Sequence, residues 1–85
     1  MRLDKYLKVS RLIKRRTLAK EVSDNERILI NNRIAKPSST VSIGDIIKIR
    51  FGNKEVTIKV TEINDSTKKS DALNMYELIS EEKID

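Results

Sequence analysis

With 85 residues, of which 38% are apolar, the chain can bury one modest core but not a second one beside a catalytic cleft. It has no cysteine and no histidine, which removes disulfides, thiolate metal sites and the commonest general base. Its formal charge of +5 is gathered at one end: residues 1–20 hold eight Lys or Arg against the single acid Asp4, a local +7, whereas residues 21–85, with ten bases and twelve acids, sum to −2.

From Asp4 to Val9 the pattern predicts a short helix: Leu3, Tyr6 and Leu7 gather on one side of the wheel and Lys5 and Lys8 on the other. Asp4 suits its N-cap, where a carboxylate accepts the first orphan backbone N–H groups. A second helix is expected over Arg15 to Ser23, with Leu18, Ala19 and Val22 inward and Arg16 and Lys20, four apart, outward. After the break Ser23-Asp24-Asn25-Glu26, β-branched pieces follow at Arg27 to Asn31 and Arg33 to Lys36, joined through Asn31-Asn32, a pair that tolerates positive φ. Pro37-Ser38-Ser39 ends the second piece, because proline cannot donate to a ladder. Gly44-Asp45 marks another turn. Ile46 to Phe51 and Lys54 to Ile63 flank Gly52-Asn53 as a hairpin, in which Val56, Ile58 and Val60 alternate with Thr57, Lys59 and Thr61. Ile63 falls out of that alternation, which signals a bulge, a strong twist or the end of the strand. Residues 64–74 read as a polar loop, Met75 to Ile79 as a last short strand, and residues 81–85 as a frayed tail.

No apolar run exceeds the three residues Ile28 to Ile30, and the N-terminus lacks a secretory core, so a soluble, intracellular protein without a membrane partner is expected. Catalysis is not expected. The carboxylate pairs Glu81 with Glu82 and Asp24 with Glu26 lie in turns or the tail, and no histidine, thiol or phosphate-cradling glycine loop accompanies them. The same inventory calls for no metal and no cofactor. A single-sign field such as that of residues 1–20 focuses potential and draws in a polyanion, so this stretch is read as an RNA-binding face.

Arg2-Leu3-Asp4, Leu7, Arg11, Arg16, Ala19, Ile28 to Asn31, Pro37-Ser38 and Gly44-Asp45 together resemble the RNA-binding domain named after the small-subunit ribosomal protein S-four, over about residues 1–51. The resemblance implies an α+β fold, the alpha-L motif, with two short N-terminal helices packed on a small bent antiparallel sheet and a basic second helix gripping structured RNA. The stretch Met1 to Val22, with Val41 to Arg50, Phe51-Gly52 and Asn74-Met75-Tyr76, is similar to the bacterial stand-alone members of that family, relatives of the fifteen-kilodalton heat-shock protein. For such members the resemblance implies a cytoplasmic factor of ribosome-associated quality control, bound to large subunits obstructed by peptidyl-tRNA. There it would contact ribosomal RNA and the tRNA near the P site and support alanine tailing of the stalled chain by a partner of the NEMF family. One RNA-binding domain is expected over residues 1–85, acting as a monomer, with its motif core at 1–51 and a hairpin-and-strand extension at 52–80. Two turns depart from the family pattern: Glu26 stands where glycine is usual, and Asn31-Asn32 where Asn-Gly is usual.

The candidate RNA contacts are Arg2, Lys5, Lys8, Arg11, Lys14, Arg15, Arg16 and Lys20. Arg16 opens the second helix, where a guanidinium fork adds to the dipole and free N–H groups that favour phosphate; Lys14 and Arg15 precede it. Arg2 faces RNA in the family motif. Asp4 reads as structural, since an anion repels phosphate unless it orients a neighbouring arginine. Lys5, Lys8, Arg11 and Lys20 read as positioning contacts, and Lys36 as a weaker one. Tyr6 and Phe51 sit in core phase; with Tyr76 they are the only aromatics, so the shape and phosphates of a folded RNA are the expected target rather than a loose strand. The competing readings are a ribosome-assembly or heat-shock factor on free large subunits and a DNA-binding helix-turn-helix, whose second helix would offer only Thr17, Lys20 and Glu21 as readers.

Overall fold

A computed structural model describes residues 1–13, 27–51, 54–63 and 75–83. The helix expected over Arg15 to Ser23, the residues up to Glu26, the Gly52-Asn53 connection, the 64–74 stretch, residues 84–85 and the side chain of Phe51 lie outside the described residues. The elements are α1 (Leu3–Val9), β1 (Ile28–Ile30), β2 (Arg33–Ile34), β3 (Ile46–Phe51), β4 (Lys54–Val60) and β5 (Tyr76–Lys83). The strands form one antiparallel sheet in the order β2-β1-β3-β4-β5.

Directly paired residues of antiparallel strands share a face, so the register assigns the core. Ile28, Ile49 and Val56 form one apolar row across β1, β3 and β4, and Ile30, Ile47 and Ile58 form the next. The α1 stripe of Leu3, Tyr6 and Leu7 completes this core with Ile13, Val41, Val60 and Met75. Tyr6 is fully buried, and its hydroxyl donates to the Met75 carbonyl at 2.6 Å. The same carbonyl accepts the N–H groups of Thr61 (2.9 Å) and Glu62 (3.2 Å), so one oxygen ties α1, the end of β4 and the start of β5 together. Burial, and secondarily the Tyr76 hydroxyl, raises the ionisation of the Tyr6 phenol well above its ordinary value.

The Asn31-Asn32 connection adopts positive φ at both residues, 51° and 68°, the pattern of a primed hairpin turn. The Asn31 side chain is also a stitch: its Oδ1 accepts from the Ile46 N–H and its Nδ2 donates to Asp45 Oδ1, both at 3.0 Å. Asp45 Oδ2 in turn accepts from the Ser42 N–H, closing a turn in which Gly44 stands at φ +94°. These bonds replace the preorganisation that an Asn-Gly pair would have supplied.

The boundaries of five elements differ from expectation. Asp4 is not the N-cap: that position belongs to Arg2, and Asp4 lies within the first turn. β1 and β2 are shorter than expected; β2 stops at Ile34 because the chain turns at Pro37, where the Lys36 N–H is taken by Ser39 Oγ and the Ser39 N–H by the Lys36 carbonyl, each at 2.9 Å. β4 ends at Val60, since Thr61 and Glu62 turn their N–H groups to Met75; of the alternatives for Ile63, the strand's end is the one observed. β5 runs to Lys83, so Glu81, Glu82 and Lys83 are strand rather than frayed tail. Pairing of Lys54 to Lys83, Glu55 to Glu82 and Val56 to Glu81 holds them there despite their low strand propensity, and a bulge sits in this ladder opposite the Thr57–Ile58 step.

Candidate nucleic-acid interface

The first four residues are clasped to the segment that follows β2. The Leu3 N–H donates to the Ser39 carbonyl (2.8 Å), the Asp4 N–H to the Pro37 carbonyl (3.1 Å) and the Val41 N–H to the Met1 carbonyl (2.8 Å), with Arg2 bridged antiparallel to Thr40. The Ser39 and Pro37 carbonyls satisfy the first two donors of α1, where the N-cap residue Arg2 makes no side-chain cap bond. The Lys5 N–H is met by Asp4 Oδ1 at 2.8 Å.

The Asp4 carboxylate also holds Arg2. The Arg2 Nε lies 3.3 Å from Asp4 Oδ1 and its Nη2 lies 3.4 Å from Oδ2, a two-point grip on a planar guanidinium. The Asp4 side chain is 5% exposed and that of Arg2 56% exposed. A buried anion thus orients an exposed cation, the one circumstance in which an acid belongs in a phosphate-binding face.

Arg2, Lys5 and Lys8 recur every third residue, about 4.5 Å apart along the helix axis. Lys8 is exposed and Lys5 half-buried. Arg11 follows at the helix exit, exposed and left-handed at φ 61°, its N–H donating to the Lys8 carbonyl at 3.0 Å. A glycine is the usual occupant of such a position, and a side chain there costs about 1 kcal/mol. Lys36 is exposed on the clasping segment, next to the Pro37 carbonyl that holds Asp4, so that segment is brought beside Arg2. Lys14, Arg15, Arg16 and Lys20 lie outside the described residues.

The clasp itself has no counterpart in the sequence reading, where Pro37-Ser38-Ser39 serves only as a strand terminator. Its available signal was the coincidence of Arg2-Leu3-Asp4 and Pro37-Ser38 in one family pattern. Among the described residues no group of three or more His, Cys, Asp or Glu side chains is placed to hold a metal ion, and none of their helices is long and apolar enough to cross a membrane.

The model of the S4 domain matches residues 1–47, more than half of the chain. The chain belongs to the S4 domain family. It is 59% identical to the "RQC P-site tRNA stabilizing factor" of Streptococcus pneumoniae, over 100% of this chain and 97% of that protein. It is 62% identical to the protein of the same name from Bacillus subtilis, over 99% and 98%. The solved structure of Heat Shock Protein 15 from Vibrio cholerae, described as trimeric, superposes with a TM-score of 0.85 at 34% identity, over 94% of this chain and 82% of that one. The S4 match ends within β3, so β4 and β5 stand beyond it, while the full-length relatives span them.

Proposed function

We propose that this S4-domain chain binds RNA and acts in ribosome-associated quality control, steadying a P-site tRNA on large subunits obstructed by peptidyl-tRNA. The observation that carries this reading is the likeness of 59% to 62% over nearly the whole length of relatives named RQC P-site tRNA stabilizing factor. The geometry supports it through Arg2, whose open guanidinium is set by the buried Asp4. In this reading the whole chain is one RNA-binding domain. Arg2, Lys5, Lys8, Arg11, Lys14, Arg15, Arg16 and Lys20 make the RNA contacts, chiefly to phosphates. The factor works as a cytoplasmic monomer beside a NEMF-family partner that adds the alanine tail.

The test is co-sedimentation of the purified chain with large subunits that carry peptidyl-tRNA, compared with empty large subunits. Arg2→Ala and Arg16→Ala are each expected to weaken association roughly tenfold, the equivalent of about 1.4 kcal/mol, while the melting temperature stays close to that of the unsubstituted chain. Unchanged co-sedimentation, or unfolding of both variants, would overturn the assignment of the face. Equal binding to empty subunits would instead favour the assembly-factor reading.

A further inference from the structure

The apolar row Ile30–Ile47–Ile58 continues onto β5 at Leu78. Ile47 and Ile58 are fully buried, yet Leu78 is 54% exposed, so the core stops one strand short of the sheet's edge. Beside it Ile79, which the bulge leaves without a partner on β4, is 52% exposed. β5 is the last strand in the sheet order, and the outward main-chain groups of its eight residues pair with no described strand. Edges of this kind are usually blunted by lysine, proline or brevity. β5 has no proline, and it carries Glu77, Glu81 and Glu82 against Lys83 alone, a net −2.

That charge selects the occupant. A negative edge repels phosphate, and a second copy would bring an edge of the same sign against it. We propose that the outer edge of β5 docks a basic, extended segment of another protein as a sixth strand, with an apolar side chain beside Leu78 and Lys or Arg beside Glu77 and Glu82. Main-chain hydrogen bonds supply the affinity of such an addition, and alternate side chains supply its specificity. The added strand completes the unfinished apolar row. Glu77 and Glu82 form no ion pair among the described residues, whereas Glu81 is already engaged by the Lys54 ammonium at 3.5 Å. The inference rests on the proposed function only for where the partner is met, on a particle whose RNA-binding proteins are rich in basic segments.

The experiment places the photo-crosslinking residue benzoylphenylalanine at position 79 (Ile79→benzoylphenylalanine) in the full chain bound to large subunits carrying peptidyl-tRNA, and maps adducts by mass spectrometry. The expected product is one peptide of another protein with at least two Lys or Arg flanking an apolar residue. Adding Glu77→Gln and Glu82→Gln should lower its yield at least fivefold while co-sedimentation is unchanged. Adducts to RNA or to a second copy of the chain, no adduct despite intact co-sedimentation, or a yield indifferent to the two substitutions would overturn the proposal. Should the unsubstituted chain fail to co-sediment, the functional reading falls, and the edge is judged on the free chain by amide hydrogen exchange with a synthetic peptide of alternating Lys and Val. Slowing of the outward β5 amides at least fivefold more than with the same peptide interrupted by proline supports docking; equal or absent slowing overturns it.

Discussion

Tyr6 shows how a single side chain can be placed by periodicity yet explained only by its partner. Its position three after Leu3 and one before Leu7 assigns it to the inner stripe of α1, and it is fully buried there. What the wheel does not contain is the Met75 carbonyl, 69 residues away. Because Thr61 and Glu62 also donate to that carbonyl, Tyr6→Phe leaves no orphaned acceptor and is expected to cost only about 1 kcal/mol in denaturant unfolding. The pH dependence has a definite sign. The folded-state phenol ionises well above its ordinary value of 10.0, so its contribution is complete below that value and is lost as pH rises past it, when the unfolded chain releases the proton first. The unsubstituted protein should lose stability above about pH 10 more steeply than Tyr6→Phe, in melting curves taken across that range. Arg2 and Asp4 teach a related point: both were singled out from the sequence, and the possibility that the acid orients the base was visible there. The clasp of Pro37 and Ser39 on the helix start, which takes the Leu3 and Asp4 N–H groups, was not.

Among the elements, the β1–β2 turn yields a sharp contrast. Both asparagines hold positive φ, but only Asn31 also bonds to Ile46 and Asp45 through its side chain. Asn32→Gly, which restores the usual Asn-Gly pair, is expected to stabilise by about 0.5 kcal/mol, whereas Asn31→Gly is expected to destabilise by about 1–2 kcal/mol through the two lost bonds. Urea midpoints of the two variants should therefore move in opposite directions. α1, the turn and the β3–β4 pair were legible because each is specified by residues only a few positions apart. β5 was legible only in part. Met75 to Ile79 suggested a strand, but Ser80, Glu81, Glu82 and Lys83 have no strand pattern of their own and are held by β4, 27 residues away at the Lys54–Glu81 pair.

For the molecule as a whole, the division of charge is the governing property. A protein that binds through phosphates releases counterions, so its affinity for structured RNA should fall with salt by a logarithmic slope of roughly −0.7 to −0.9 for each phosphate neutralised. Removing one contact, as in Arg2→Ala, should make that slope shallower by about one such increment, measured by filter binding over a salt series. A slope near zero would mean that the basic end does not carry the binding. The acidic edge at β5 became visible only when the register put Leu78 at the end of a buried row and Ile79 on a bulge. Charge asymmetry, the α1 stripe, the hairpin pattern and the positive-φ turn were already written in the residues, since each arises from composition or from near neighbours. The extent of β5, the shared Met75 carbonyl and the clasp of Pro37 and Ser39 on the start of α1 came with the fold, because they need groups remote in the chain to meet, and local preference carries no information about which remote groups those are.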